Sequence, residues 1–466
     1  MPQTQTEELL LPLTPEGATN MVGSVDDDSR SSSKTEELLL PLSPLDAMMH
    51  KLGVMLLYIF PRASSSAGYD LARLQTSLVA LVDEDYPILI GELHLDQQTG
   101  VVSVKQTAEA RQRGARGLRF EANPSSSMTT EDAMKTLSWE LMPTPRAPTE
   151  LVCVKGTLLA DGGLVVGVDA SHTLLDGEGM FTFMTAWGQH YSEVSKQKRL
   201  VINHDRHLLG GTGSPSKLLH PEFQVVGIQP AADIVNAEAA APPPTAQHRF
   251  HFTPNMLKRI KEVATRGEPA VATSDVSYVS TIDAVTGLFT SLISQARGHG
   301  QDNYAGNVIF SALSSYKSDE LKAGNDSDGV VSPDSLVELA QRVRGSIRHS
   351  DDEYLRDAID FIARQSNLSA VQPATNFVFG PDTMNTSWVR TGMYDAEFEG
   401  MRPSLVSVPP LPLDGFVVMS EPPRNSPGVD VLVFLECTAM EKLKELFAQV
   451  AYLRGEDGEQ TLRSTL

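Results

Sequence analysis

Apolar residues in the first part of this chain follow two different spacings. The run Leu52–Phe60 is almost wholly apolar but too short to span a membrane, so it predicts a buried strand. Leucines then recur at helical spacing from Leu71 to Leu81, and Tyr86-Pro87 marks the end of that helix. The run Ile88–Leu93 follows and is predicted to be a strand.

A hairpin and a helix are predicted in the middle of the first half. The apolar runs Leu151–Leu159 and Leu164–Ala170 read as strands, and Asp161-Gly162-Gly163 between them is a turn signal. His172 comes directly after the second strand. Apolar residues from Met180 to Trp187 then recur at positions i, i+3, i+4 and i+7, which predicts a helix with one buried face.

A long irregular stretch, residues 201–247, separates these elements from a second set. It contains Gly210-Gly211, Gly213 and the run Ala239–Pro244, which favours a crossover between domains. The later predicted elements are a strand at Arg249–Phe252, a helix capped by Thr253-Pro254, a helix capped by Ser280 or Thr281 and running through Leu292, a helix over Leu336–Ile347, strands at Phe416–Met419 and Val429–Leu435, and a helix over Leu443–Val450. Strands and helices mixed in both halves predict two α/β domains.

The N-terminal region differs from the rest of the chain. Residues 1–34 contain acidic and serine runs and few large apolar residues, which is typical of disorder. The segment Thr6–Pro15 recurs almost unchanged as Thr35–Pro44, and the second copy is interpreted as the start of the folded part. The predicted division is a disordered extension at 1–34, an N-terminal domain at 35–200, a crossover at 201–247 and a C-terminal domain at 248–466.

Composition excludes several classes of protein. A length of 466 residues suits two domains, and a net charge of −21 makes nucleic acid an unfavourable partner. The chain has only Cys153 and Cys437, both in apolar runs, so they are interpreted as small core residues in a reducing compartment. Neither an apolar run long enough to span a membrane nor a signal peptide is evident, which predicts a cytoplasmic protein.

The most distinctive local feature is His172-Thr173-Leu174-Leu175-Asp176-Gly177. A histidine at a strand end can face a ligand and, when unprotonated, can accept a proton from a hydroxyl or an amine. Asp176 would orient the loop through a cation or through backbone donors, and Gly177 would let the chain turn. A purely structural histidine at a strand end is the alternative. No metal site and no convincing nucleophile motif are predicted.

Further motifs surround this one in a characteristic order. They are L-S-P-L-D at Leu42–Asp46, a helix–Tyr-Pro–strand pattern at Ser77–Leu93, H-x-x-x-D-G at His172–Gly177, H-P-E-F at His220–Phe223, S-T-x-D-A at Ser280–Ala284, Y-x-G-N at Tyr304–Asn307, T-S-W at Thr386–Trp388 and a Y-D-A segment at Tyr394–Pro403. Together they resemble the BAHD acyltransferase family, in its fungal branch similar to trichothecene 3-O-acetyltransferases. The resemblance covers residues 35 to about 450.

The resemblance implies a fold and an activity. The fold would be two chloramphenicol-acetyltransferase-like domains, each a mixed β-sheet flanked by helices, with an active-site channel between them. The protein would act as a monomer in secondary metabolism and move an acyl group from acyl-CoA, with acetyl-CoA one candidate donor, to an alcohol or amine. Acyl-CoA would be a co-substrate, and no cofactor would be bound permanently. His172 would remove the acceptor proton, and the freed atom would attack the thioester directly.

The resemblance also implies roles for individual residues. Asp176 would support the catalytic loop. Gly177, Thr386 and Trp388 would line the reaction centre and stabilise the oxyanion. Coenzyme A would contact Ser280, Thr281, Asp283 and Arg402, the last through a phosphate. A half-buried strand pair, ordinary helix caps and a surface arginine are the corresponding structural alternatives.

Two departures from the family pattern keep other functions open. The family's D-F-G-W-G is Glu397–Met401 here, so a turn that needs glycine would be strained at Glu399. The segment between Arg297 and Tyr304 is too short for the strand that carries the basic partner of Asp176. A catalytically impaired binding relative is therefore one alternative. A condensation-type domain that uses carrier-bound acyl groups is another, although such domains usually have a second histidine where Ser171 stands.

Overall fold

A computed structural model describes residues 37–108, 111, 117–206, 209–226, 242–266, 278–298, 307–310, 314–317, 331–423 and 426–454. Some of the predictions above fall outside the described residues. They concern the extension at 1–34 with the first copy of the repeat, Ala239 to Ala241, and residues 299–306, including Tyr304. The chain divides into two compact units, Met1–Leu208 with Asp395–Pro409, and Leu209–Tyr394 with Pro410–Leu466. The contiguous division expected above differs from this, because Asp395–Pro409 belongs to the first unit.

The described residues of the first unit form two sheets and a set of helices. Its strands are β1 (Glu37–Pro41), β2 (Gly53–Phe60), β3 (Glu92–Leu95), β4 (Val102–Thr107), β5 (Leu118–Asn123), β6 (Val152–Leu158), β7 (Leu164–Ser171) and β14 (Leu405–Ser407). Its described helices are α1 (Pro44–Met48), α2 (Leu71–Glu84), α3 (Thr130–Thr136) and α4 (Gly177–Tyr191). The larger sheet has the strand order β14-β2-β7-β6-β5, and β1, β4 and β3 form the smaller one.

Pairing in the larger sheet confirms the predicted hairpin. Strands β6 and β7 are antiparallel, and Gly162 in the turn has a φ of 87°, a conformation that glycine adopts without a steric cost. The strand predicted at Ile88–Leu93 begins four residues later than predicted. Pro87–Leu89 forms a 3₁₀ turn and the strand begins at Glu92, because proline has no N–H for a ladder and a φ suited to the first helical turn.

Helix α4 has the buried face that its spacing predicts. Met180, Phe183, Met184 and Trp187 are fully buried. The Trp187 indole N–H donates to the Leu74 carbonyl on α2 at 3.1 Å. Burying each such side chain stabilises the fold by about 1.5–3 kcal/mol, so the direction of α4 as it leaves β7 is strongly determined.

The second unit is built on one six-stranded mixed sheet. The described strands of this unit, six of which form the sheet, are β8 (Phe223–Val225), β9 (Thr245–Phe252), β10 (Asn307–Phe310), β11 (Ser314–Lys317), β12 (Val371–Pro373), β13 (Thr383–Trp388), β15 (Phe416–Ser420) and β16 (Val429–Glu436). Its described helices are α5 (Pro254–Ala264), α6 (Thr281–Ala296), α7 (Pro333–His349), α8 (Asp352–Ala363) and α9 (Cys437–Gln449). The sheet order is β11-β10-β13-β15-β16-β9, and β12 pairs with β8 separately. The predicted α/β class is confirmed, whereas α8 was not predicted.

Residues 209–226 of the predicted crossover pack on α8. The Asp357 carboxylate on α8 accepts hydrogen bonds from the backbone N–H groups of Lys217 and Leu218, at 2.8 and 3.0 Å. It also accepts one from the Ser216 hydroxyl at 2.8 Å. Because these contacts satisfy backbone groups that an irregular segment would otherwise expose, they hold residues 209–226 against the helix.

His220 of the H-P-E-F motif completes this contact. Its Nε2 lies 2.9 Å from the Asp357 carboxylate and its Nδ1 lies 2.9 Å from the Glu222 carboxylate. Both contacts are hydrogen bonds when both ring nitrogens carry a proton. The Tyr354 hydroxyl donates to Glu222 at 2.8 Å. The motif therefore binds the crossover to α8 and does not face a ligand.

Stability near acidic pH should depend on Asp357. Burial disfavours its charged form, but hydrogen bonds from His220 and from the Lys217 and Leu218 amides outweigh that effect and hold its pKa well below the ordinary value. Such a group stabilises the fold above its unfolded pKa, about 3.9, and loses this contribution as the pH falls further. We expect wild type to be more stable than Asp357→Asn at neutral pH, and urea unfolding should show that difference shrinking below about pH 4. Glu353→Gln, on the exposed side of α8, is the control, and a difference that stays constant with pH would contradict the prediction.

Candidate active site

The H-x-x-x-D-G segment reverses the chain at the end of β7. The His172 backbone N–H donates to the Leu52 carbonyl at 3.0 Å and so extends the β2–β7 pairing beyond the last strand residue. The Ser171 carbonyl accepts from the N–H groups of Leu174 and Leu175, at 3.1 and 3.3 Å. His172 therefore lies at a tight turn whose backbone positions are well determined.

The His172 side chain is half-buried. Throughout the parts of the chain that the structure describes, no group hydrogen-bonds to its ring. The neighbouring hydroxyls behave differently, since Ser171 and Thr173 are buried and hydrogen-bond to each other at 2.7 Å. The imidazole is therefore the polar group of this turn that can exchange a proton with a ligand.

Asp176 and Gly177 form the beginning of α4. The Asp176 carboxylate is exposed and accepts from the Gly179 N–H at 2.7 Å as the helix N-cap. Among the described residues no cation pairs with it, and the Gly179 N–H is the partner that the structure shows. Gly177 is the first helical residue, and its N–H belongs to the turn that has no carbonyl partner within the helix. A contact between Gly177 and the substrate stays a prediction.

Thr386 and Trp388 lie two residues apart on β13 and therefore on one face of the strand. Strand β13 runs parallel to β15, with Thr386 opposite Val418 and Trp388 opposite Ser420. Both side chains are half-buried. The Thr386 hydroxyl has no hydrogen-bond partner among the residues that the structure describes, so it can donate to a ligand.

A buried arginine that the sequence did not indicate holds the start of β13. Arg297, just after α6, donates to the Asp382 carbonyl at 2.7 Å and to the Phe377 carbonyl at 3.2 Å. It also pairs with Asp414, and the side chains of Arg297 and Asp414 are 7% and 3% exposed. The second carboxylate oxygen of Asp414 accepts from the Glu436 N–H at 2.7 Å. Arg297 thus binds the residues that lead into β13 and β15.

The predicted coenzyme contacts at α6 divide into two groups. Ser280 caps the helix, and its hydroxyl accepts from the Asp283 N–H at 3.1 Å. Asp283 is fully buried and pairs with Arg344 at 2.7 Å, so it has no surface for a ligand and acts as part of the cap. Ser280 and Thr281 are half-buried. At α6, contact with coenzyme A therefore stays a prediction for Ser280 and Thr281.

Arg402 lies between two carboxylates of its own segment. It donates to Asp395 at 2.6 Å and lies 3.5 Å from Glu397, and its side chain is 34% exposed. A phosphate of coenzyme A would have to compete with both acidic groups. The geometry therefore favours the alternative of a surface arginine over the predicted phosphate contact.

The altered glycine motif forms a tight two-residue turn. Phe398 and Met401 exchange backbone hydrogen bonds of 3.0 and 2.9 Å across Glu399 and Gly400. Both central residues have positive φ, 50° for Glu399 and 72° for Gly400. The expectation that this turn needs glycine-like backbone at position 399 is therefore confirmed, and a glutamate there is strained.

Side-chain contacts of Glu399 offset this strain. Its carboxylate accepts from the Tyr191 hydroxyl at 2.6 Å, from Arg73 at 3.2 Å and from the Ser65 hydroxyl at 3.1 Å. Burial and the bond to Glu399 raise the pKa of Tyr191 well above its ordinary value. Phe398 beside it is fully buried. The turn is therefore held on the C-terminal end of α4.

Two substitutions separate the strain at Glu399 from its contacts. Glu399→Ala and Glu399→Gly both remove the carboxylate contacts, but only glycine also relieves the positive φ. We expect both variants to unfold at lower urea concentration than wild type, and the glycine variant to be more stable than the alanine variant by about 1 kcal/mol. Equal stability of the two variants would mean that the backbone at position 399 stores no strain.

One cluster has the composition of a metal site but already contains a cation. Ligand atoms of Glu84, Asp85 and His190 lie within 4.8 Å of one another. Arg199 pairs with Glu84 at 2.7 Å and with Asp85 at 3.4 Å, and it also hydrogen-bonds to the His190 ring. A metal ion would have to displace this guanidinium. Arg199 therefore balances the charge of the cluster.

Cys153 is not suited to nucleophilic catalysis. Neither cysteine forms a disulfide, Cys153 is fully buried, and burial raises its pKa to about 12. A thiol with so high a pKa is protonated at neutral pH and is a poor nucleophile. For Cys153 this is the core role that its apolar surroundings predict.

Comparison with known sequences identifies the family. The sequence pattern of the Transferase family matches residues 30–301 and 297–450, which together are most of the chain. The chain belongs to this family of BAHD acyltransferases. It is therefore an acyltransferase, with acyl-CoA as co-substrate and a small molecule as acceptor.

Individual relatives are distant but extend over most of this BAHD protein. It is 25% identical to hydroxycinnamoyltransferase 1 of Oryza sativa subsp. japonica, over 64% of this chain and 69% of the relative. It is 26% identical to agmatine coumaroyltransferase-1 of Hordeum vulgare, over 77% and 83% of the two chains. The crystal structure of F. graminearum TRI101 with coenzyme A and deoxynivalenol has the same fold, with a TM-score of 0.68 at 16% identity over 88% of this chain and 97% of that one.

No helix in the parts of this BAHD protein that the structure describes combines the length and the apolar character needed to cross a membrane.

Proposed function

We propose that His172 is the general base of a direct acyl transfer from acyl-CoA to an oxygen or nitrogen atom of a small-molecule acceptor. The observation that carries the proposal is the half-buried imidazole without a hydrogen-bond partner among the described residues. Its backbone is held at the end of β7, so the base is positioned while its ring stays available. General bases of this kind contribute about 10²–10⁴-fold to rate.

The proposed reaction needs one base and no covalent enzyme intermediate. His172 takes the proton of the acceptor hydroxyl or amine as that atom attacks the thioester carbonyl carbon. The tetrahedral oxyanion collapses, the carbon–sulfur bond breaks, and the coenzyme A thiolate takes the proton from the His172 imidazolium. The products are an ester or amide and free coenzyme A. We assign the Thr386 hydroxyl, the Trp388 indole N–H and the Gly177 N–H to the oxyanion.

Asp176 has a supporting role in this proposal. Its carboxylate caps α4 through the Gly179 N–H, so it holds the exit of the loop that carries His172. Ser280 and Thr281, half-buried at the start of α6, are assigned to the pantetheine arm of coenzyme A.

We also propose that the protein acts as a cytoplasmic monomer in secondary metabolism. The two unpaired cysteines suit a reducing compartment, where acyl-CoA is also available. Size-exclusion chromatography with light scattering tests the monomer, and a dimer at working concentration would contradict it.

The activity is tested with purified wild-type protein and two kinds of acyl donor. Free acyl-CoA and a carrier-protein-bound thioester are each incubated with panels of alcohols and amines, and thiol release is measured. We expect release from free acyl-CoA that depends on the acceptor. Release from the carrier-bound thioester alone would instead identify a condensation-type domain, and tight acyl-CoA binding without turnover would identify a binding relative.

Thr386→Val tests the oxyanion assignment. The valine keeps the shape of the side chain but removes the donor, and loss of one oxyanion donor costs about 10²–10³-fold in kcat. Ser387→Ala, an exposed position on the opposite face of β13, is the matched control and should leave kcat within about twofold of wild type. An unchanged kcat in Thr386→Val would remove Thr386 from the reaction centre.

A further inference from the structure

Arg206 connects the loop that carries His172 to the N-terminal L-S-P-L-D motif. Its Nη1 donates to the Asp46 carboxylate at 2.6 Å, and its Nη2 donates to the Leu174 carbonyl at 3.3 Å. All of these residues belong to the first unit. The side chains of Arg206 and Asp46 are 28% and 15% exposed, so the pair is partly shielded from water.

The acidic partner of Arg206 is itself held in place. The Asp46 carboxylate accepts from the Ser43 N–H at 2.8 Å, and the Ser43 hydroxyl accepts from the Asp46 N–H at 3.2 Å, which is a capping box at the start of α1. A carboxylate fixed at a helix N-terminus is a rigid point to which Arg206 can bind. Through Arg206, the Leu174 carbonyl, two residues after His172, is therefore held at a fixed position relative to α1.

The contact with Arg206 gives the His172 loop a bond to a cation, which Asp176 does not form among the described residues. Asp176 is exposed, and among the described residues it binds a backbone N–H and no cation. The His172 ring also has no hydrogen bond within the described parts of the chain, so its direction depends on the position of its backbone and on packing. The loop begins at the His172 N–H bond and ends at the Asp176 cap, and Arg206 binds it between those two points.

We propose that Arg206 is a positioning residue for the reaction, which holds the His172 loop through the Leu174 carbonyl with Asp46 as its counter-charge. The proposal rests on the proposed role of His172 as the base. Arginine suits this task because its planar group donates to two acceptors at once, whereas lysine offers a single ammonium. A misplacement of a reacting group by about 1 Å costs up to roughly 10²-fold in rate.

The test compares Arg206→Gln and Arg206→Lys with Arg199→Lys. Arg199 is the matched control because it also pairs with carboxylates in the first unit, but at the opposite end of α4. We expect Arg206→Gln to lower kcat roughly 10- to 10²-fold while the dissociation constant of coenzyme A and its 1:1 stoichiometry by calorimetry stay at wild-type values. Arg206→Lys should keep more activity than the glutamine variant, and Arg199→Lys should keep kcat within about threefold of wild type.

Two results would overturn the proposal. One is a wild-type kcat in Arg206→Gln. The other is a fall in kcat that is fully explained by a fall in the fraction of protein that binds coenzyme A. His172→Ala is assayed in parallel so that the two proposals can fail separately. An inactive His172→Ala beside a fully active Arg206→Gln overturns the role of Arg206 alone, whereas an active His172→Ala overturns the proposed function.

Discussion

His172→Ala will lower kcat for acyl transfer by about 10²–10⁴-fold and leave coenzyme A binding close to wild type. The imidazole is half-buried and lacks partners in the described parts of the chain, so its removal takes away the proposed base without breaking an internal hydrogen bond. The backbone bond from His172 to Leu52 is independent of the side chain and survives the substitution. Steady-state kinetics with acyl-CoA and an acceptor, together with calorimetric binding of coenzyme A, measure the two quantities.

His94→Ala is the matched control for this experiment. His94 is a half-buried histidine on β3 of the same unit, and its ring has no hydrogen bond among the described residues. Its removal should leave kcat within about threefold of wild type. A kcat of His172→Ala within the same range would show that another group takes the acceptor proton.

Arg297→Ala will destabilise the protein by about 3–5 kcal/mol, because it leaves the Asp414 carboxylate buried without its cation. The side chain of Asp414 is only 3% exposed, so its remaining charge is poorly solvated by bulk water. The carbonyls of Phe377 and Asp382 lose their donor at the same time. Urea unfolding followed by far-UV circular dichroism measures the loss.

A double substitution tests the cause of this loss. Arg297→Ala combined with Asp414→Asn removes both charges, so its destabilisation should be smaller than the sum of the two single effects. Arg259→Ala is the control, since Arg259 donates to the Leu453 carbonyl and has no ion pair among the described residues. A loss below about 1.5 kcal/mol in Arg297→Ala, equal to that of Arg259→Ala, would contradict the prediction.

Local patterns were enough to predict most of the elements that carry the candidate site. The hairpin of β6 and β7, the turn after Ser171 and the buried face of α4 all follow from residues within a short stretch of sequence. Periodicity reports such features because it reflects which side chains one element buries. It placed the start of the strand predicted at Ile88–Leu93 too early, because Pro87 favoured a 3₁₀ turn and the strand begins at Glu92.

Ligand contacts were harder to predict than elements. The family resemblance placed Asp283 and Arg402 with the coenzyme, but Asp283 has no exposed surface and Arg402 is paired with Asp395 and Glu397. Burial and charge compensation depend on neighbours from several elements. A motif read along one strand or helix does not include those neighbours.

The chain's short-range pattern predicts that a histidine follows a strand and that a helix with one buried face comes next, and the order of its motifs along most of the chain resembles the BAHD acyltransferases. Only the folded molecule shows that Asp176 is a helix cap, that Arg206 joins the loop of His172 to Asp46, and that residues 395–409 belong to the first unit. The physical reason is distance along the chain. A hydrogen bond between residues 160 positions apart, such as that from Arg206 to Asp46, leaves no periodic signal, because its free energy depends on a geometry that many other elements must first create.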